Sequence, residues 1–181
     1  GGQGVPFTLP HRYAAVVVSN VVGELVMDKP SKINDDITTG PQPSEHELER
    51  LQTLGFKSVV NFRTEGEKEQ PLSPRAEGEK VRALGMKYLH LPIPMGGIRP
   101  EYADEFREQV ASLPKPLFTH CMGGRRASVL SMIHAALDEG LSGDEAIKRA
   151  NDKGLDIDKP ELVKFVKEYV DEHSGVGKKT K

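Results

Sequence analysis

Cysteine occurs once in the 181 residues, at Cys121, which excludes an intramolecular disulfide and argues against a cysteine-ligated structural zinc site. Long apolar runs are missing as well. The longest, Ala14 to Val18, falls far short of the ~18 residues that a bilayer-spanning helix needs, so no membrane association is expected. Charge of one sign is not in excess, since 25 Lys and Arg stand against 27 Asp and Glu for a net charge of −2; binding to nucleic acid through bulk positive charge is therefore disfavoured. The six histidines, at positions 11, 46, 90, 120, 134 and 173, show no metal-ligand spacing, and neither a metal nor another cofactor is expected. No internal repeat, low-complexity segment or secretory leader is recognisable, and a cytoplasmic location is the expectation.

What is present is an ordinary globular composition, 36% hydrophobic and 29% charged, of a length that fits one domain at the usual ~100–200 residues each. Residues 1–35 contain β-branched stretches at Ala14–Ser19 and Val21–Met27, read as N-terminal strands packed on the same domain. Residues 36–174 form the main body, and 175–181, with Lys178, Lys179 and Lys181, a disordered, solvated tail. Within the body, Ser44 caps a helix that runs to Leu54. The apolar run Phe56–Phe62 reads as a strand, 73–84 as a helix ending at Gly85, and Lys87–Ile93 as a second strand. A helix from Pro100 to about Leu113, a buried strand at Leu117–His120 and a helix from Arg126 to Leu137 follow. Two more helices close the chain, one capped by Ser142 with Glu145 three residues on, the other begun by Pro160 and reaching about His173. Strands alternating with helices predict an α/β fold, a mainly parallel central sheet flanked by helices on both faces.

In such a sheet ligands bind where the strands end and the chain turns into helices. The single cysteine stands there, in Cys121-Met122-Gly123-Gly124-Arg125-Arg126. Paired glycines let the backbone curl its N–H groups into a nest, and the following helix start adds roughly half a positive charge, which together make an anion cradle. A cysteine facing that cradle is expected to act as a thiolate nucleophile. Arg126 can place two parallel hydrogen bonds on an oxyanion, which a lysine cannot.

The string His120-Cys121-x-x-Gly124-x-Arg126 resembles the active-site loop of the cysteine-dependent phosphatases. More closely, the chain resembles the beta-lactamase-hydrolase-like phosphatase family, prokaryotic relatives of the dual-specificity phosphatases. The likeness extends over about Ile37 to Leu155 and includes Gly40-Pro41-Gln42-Pro43-Ser44, the segment Gly55 to Arg63, and Leu89-His90-Leu91-Pro92-Ile93-Pro94. It implies the cysteine-phosphatase fold and a phosphorylated substrate, protein or small molecule, attacked by Cys121. The amides of Met122, Gly123, Gly124 and Arg125, together with Arg126, would hold the phosphoryl oxygens, and a phosphocysteine would then be hydrolysed.

Two departures stand out. Four residues separate Cys121 from Arg126 where the tyrosine phosphatases have five, and Ala127 follows the arginine, the hydroxyl coming only at Ser128. The stretch Leu91–Gly97, where those enzymes carry an aspartic general acid, holds no acid. Glu101 and Asp104 at the next helix start, then Glu65 and Glu67, are the candidate donors, against a plainer role as solvated or helix-dipole carboxylates. His120 would tune the thiolate or simply end its strand. His90 and His134 read as structural, and Pro94–Pro100 as one wall of the site. Two rival readings share the loop: a rhodanese-like sulfurtransferase, whose shorter loop suits a smaller cargo, and a phosphate-binding module without turnover.

Overall fold

The computed structural model describes residues 30–174; the strands expected within 14–27 and the tail 175–181 lie outside them. Five strands are present among the described residues: β1 (Ser31–Lys32), β2 (Ile37–Gly40), β3 (Ser58–Asn61), β4 (Lys87–His90) and β5 (Leu117–His120). The six helices among the described residues are α1 (Glu45–Thr53), α2 (Pro74–Ala83), α3 (Pro100–Val110), α4 (Arg125–Asp138), α5 (Gly143–Asp152) and α6 (Pro160–His173). The sheet order is β1-β2-β5-β3-β4, with only the β1–β2 pair antiparallel. The mainly parallel α/β sheet is as the alternation predicts.

Capping sets the helix starts. Ser44, Ser73 and Ser142 each accept a backbone N–H from the first turn, and Ser142 with Glu145 completes a reciprocal capping box. The structure adds β1 and β2, for which the sequence carries no strand signal. Asn34 explains them: its Oδ1 accepts the N–H groups of Asp36 and Ile37 at 2.9 Å, an Asx turn that folds Ser31–Lys32 back on Thr38–Thr39.

Alternation along the strands sends side chains to two cores. Val59 and Phe118 pack with Leu48, Leu51 and Val81 under α1 and α2. Val60 and Leu117 join Phe106, Leu130, Ile133 and Val166 beneath α3 to α6. On this second side Thr119 meets Ser131 of α4, hydroxyl to hydroxyl at 2.7 Å. Parallel register aligns Gly40, Asn61 and His90 with His120 or with one another, so four strands end along one edge. No helix among the described residues is long and apolar enough to cross a membrane.

Candidate active site

Period-two alternation carries on past β5 and separates two neighbours: His120 falls on the α1–α2 side, and Cys121 joins the core beneath α3 to α6. The chain then turns through Met122-Gly123-Gly124 into α4. Gly124, at φ +103°, is the helix N-cap, a left-handed conformation that a residue with a Cβ resists. That turn aims the Gly124 N–H at the Cys121 sulfur, 3.2 Å away. From outside, the Gln42 N–H fastens the loop by donating to the Met122 carbonyl at 3.0 Å.

Cys121 is almost fully enclosed as a residue, yet it lines a cavity of about 560 Å³ together with Met122, Gly123, Arg125 and Arg126. Met95, Gly96 and Ile98, from the segment expected to form a wall, do form one, and Leu162 and Phe165 of α6 form another. Arg126 is held from behind. Its guanidinium donates to the Ile93 carbonyl at 2.8 Å and to both oxygens of Glu67 at 2.7 and 3.1 Å. Burial works against the charged guanidinium, but the Glu67 hydrogen bonds and the nearby Cys121 sulfur outweigh it and raise its proton affinity. Burial likewise pushes the Glu67 carboxyl up; hydrogen bonds from Arg126 and the Thr64 amide prevail and hold it below the usual carboxylate range.

A buried polar chain runs under the loop. Fully enclosed Arg63 donates to Gln42 Oε1 at 2.9 Å and to the carbonyls of Lys68 and Glu69, with its Nε 3.6 Å from Glu67. Gln42 in turn donates to Glu77 at 2.8 Å, and the other Glu77 oxygen lies 2.8 Å from His120 Nε2. Burial favours protonated Glu77, but His120, then Gln42 and Tyr88, outweigh it and hold its carboxyl low. The His120 ring stacks on Phe118, and its Nδ1 is 3.2 Å from the Cys121 carbonyl. The contact is with the cysteine's backbone rather than its sulfur, because the two side chains leave opposite faces of the strand.

The sequence candidates for a proton donor are not brought to the cavity. Glu101 is exposed beside Arg99, and Asp104 accepts a hydrogen bond from Tyr169 on the outer side of α3. Glu67 is committed to Arg126. The carboxylates that do line the cavity, among the described residues, are Asp156 and Glu161, at the α5–α6 connection and the start of α6. Sequence reasoning missed both, although Asp156 lies four residues before Pro160 in a turn signalled by Gly154. Ser128 lines a neighbouring cavity of about 460 Å³ with Thr39 and Gly124. His90 Nε2 lies 2.6 Å from the Arg63 carbonyl. His134 packs edge-on to Phe106, and burial lowers its proton affinity. Among the described residues no group of three or more His, Cys, Asp or Glu could hold a metal ion.

Comparison with known proteins agrees in fold. A family model described as the phosphatase-like domain of beta-lactamase hydrolase-like protein matches residues 31–138. The beta-lactamase hydrolase-like protein of Agrobacterium fabrum is 30% identical over 129 residues, which cover 71% of this chain and 30% of that protein. The chain thus spans about three tenths of that relative's length. Among solved structures, Tk-PTP in its active form superposes with a TM-score of 0.66 at 24% identity, covering 79% of this chain and 96% of that one. The core catalytic domain of a PP-IP phosphatase from S. cerevisiae gives 0.64 at 16% identity, covering 81% and 88%.

Proposed function

The chain belongs to the family of the phosphatase-like domain of beta-lactamase hydrolase-like proteins, and from that premise we propose that it hydrolyses phosphomonoesters through a phosphocysteine. The observation that carries this reading is that Cys121 and Arg126 line one cavity, with the Gly124 N–H aimed at the Cys121 sulfur and the Arg126 guanidinium braced by Glu67. In the proposed reaction the Cys121 thiolate attacks phosphorus and the ester oxygen leaves. The amides from Met122 to Arg125 and the Arg126 fork hold the equatorial oxygens, where charge is greatest in the transition state. Water then attacks the phosphocysteine and frees inorganic phosphate. The substrate is a phosphorylated protein or small molecule, and the apolar wall of Met95, Ile98, Leu162 and Phe165 favours one whose phosphate is carried on an apolar or aromatic group.

Hydrolysis of 4-nitrophenyl phosphate tests the proposal. The wild-type chain is expected to release nitrophenol, and Cys121→Ser to abolish release while keeping the unfolding midpoint. One observation favours a second reading: the loop has four residues between cysteine and arginine, which narrows the cradle toward a sulfane-sulfur cargo. Sulfur transfer from thiosulfate to cyanide, with no ester hydrolysis, would establish that alternative. Saturable phosphate binding with neither reaction would leave a binding module.

A further inference from the structure

A phosphoryl-transfer site of this kind has to protonate the departing oxygen unless the leaving group is very acidic. The stretch Leu91–Gly97 carries no carboxylate, Glu67 spends both oxygens on Arg126, and Glu101 and Asp104 are paired away from the cavity with Arg99 and Tyr169. We propose that Asp156, on the α5–α6 connection, is the general acid of the reaction.

This rests on the phosphomonoesterase reading and adds to it the residue that handles the proton. Asp156 stands at the apex of a tight turn closed by the Ile157 N–H donating to the Leu155 carbonyl at 2.9 Å. Leu155 and Ile157, on either side, are buried at 8% and 1% exposure. With both neighbours anchored inward, the side chain between them is left 47% exposed, at the lining of this cavity and of the neighbouring one that Ser128 lines. Arg125, a residue of the loop itself, grips it: Nε lies 3.2 Å from Oδ2, and a terminal nitrogen donates to Oδ1 at 3.4 Å. That grip ties the carboxyl to the same backbone that orients Cys121 and Arg126. Glu161, the other carboxylate of the cavity, is exposed on the first turn of α6 and has no comparable tether to the loop. An arriving phosphate dianion competes for Arg125 and sets like charge against Asp156, and a proton held between the two relieves that repulsion.

The protons and bonds balance over two steps. The sulfur–phosphorus bond forms as the ester bond breaks, and the Asp156 proton passes to the leaving oxygen. Water then bonds to phosphorus, gives its proton to the Asp156 carboxylate, and the sulfur–phosphorus bond breaks to return the thiolate and release phosphate.

Leaving-group dependence tests this. The intact chain, Asp156→Asn, Asp156→Glu and Glu161→Gln are compared on 2,4-dinitrophenyl phosphate, which departs unaided, and on phenyl phosphate, which does not. Asp156→Asn is expected to lose about 10²–10³-fold in kcat/KM on phenyl phosphate but under ~10-fold on the dinitrophenyl ester. Asp156→Glu should recover part of the loss, and Glu161→Gln should affect both esters alike. Equal loss on both esters in Asp156→Asn, or a selective loss in Glu161→Gln, overturns the assignment. Failure of the wild-type chain to cleave either ester overturns the phosphatase reading itself, and this assignment with it.

Discussion

Replacing Glu67 by glutamine removes the charge behind Arg126 and keeps the shape. The two side chains are 8% and 7% exposed, so water cannot take the place of the lost oxygen. What remains for the guanidinium is the Ile93 carbonyl at 2.8 Å, the Phe62 carbonyl at 3.5 Å and one amide oxygen of the new residue. Breaking a buried pair by removing one partner costs about 3–5 kcal/mol. Since glutamine keeps an acceptor, the lower end, about 3 kcal/mol, is expected. At about 2–4 °C per kcal/mol for a chain of this size, the midpoint should fall by roughly 6–12 °C. Urea titration should show a lower midpoint concentration with the slope preserved. The pH dependence has a definite sign. Glu67 is held below the usual carboxylate range in the folded state, so its stabilisation is complete above the unfolded-state value and is lost as pH falls through the folded one. The gap between wild type and Glu67→Gln is therefore widest near neutrality and closes in acid. A difference no larger than the ~0.5 kcal/mol of an ordinary surface substitution, or a gap that widens in acid, would refute the reasoning.

Arg126→Lys keeps a positive charge but offers no planar fork to satisfy Glu67 and an anion together, and steady-state assays on an aryl phosphate should record a fall in kcat on the order of 10²–10³. In Gly124→Ala the new Cβ has room, its nearest neighbour being the Gly40 carbonyl carbon at 3.6 Å, but φ +103° is strained for alanine. Roughly 1–2 kcal/mol of stability and weaker inorganic phosphate binding by calorimetry are the expected losses. Gly143→Ala would set a Cβ 2.6 Å from the Lys167 carbonyl oxygen and 2.7 Å from its Cα, forcing α5 off α6. Urea unfolding should register about 1–3 kcal/mol of destabilisation.

The elements that sequence reasoning located are those whose signals are local. Ser44 and Ser142 cap as their Ser-x-x-Glu patterns indicate, and α6 spans Pro160–His173 as the proline and the periodicity indicate. Leu117–His120 is legible because it is short, apolar and followed by glycines. Ile37-Thr38-Thr39-Gly40 is not, since four residues with two threonines and a glycine read equally as loop; what makes them a strand is a partner 80 positions away. The same limit applies to the site. Cys121 and Arg126 announce themselves in one short loop, whereas nothing in Pro74–Ala83, a helix rich in charge, marks Glu77 as the carboxylate that is buried against His120. Glu67 and Asp156 come to the loop through turns whose course is set by tertiary packing, and periodicity is silent on turns.

The strand that delivers the cysteine is the last of the described five to be synthesised, and it occupies the middle of the sheet, between β2 and β3. While a nascent chain grows, those two strands emerge with facing, unfilled edges, close enough in sequence to meet each other first. Any such premature pairing has to come apart before residues 117–120 can slot in. A ribosome-bound fragment that stops short of residue 117 therefore has four of the five described strands and lacks the central one that leads into Cys121.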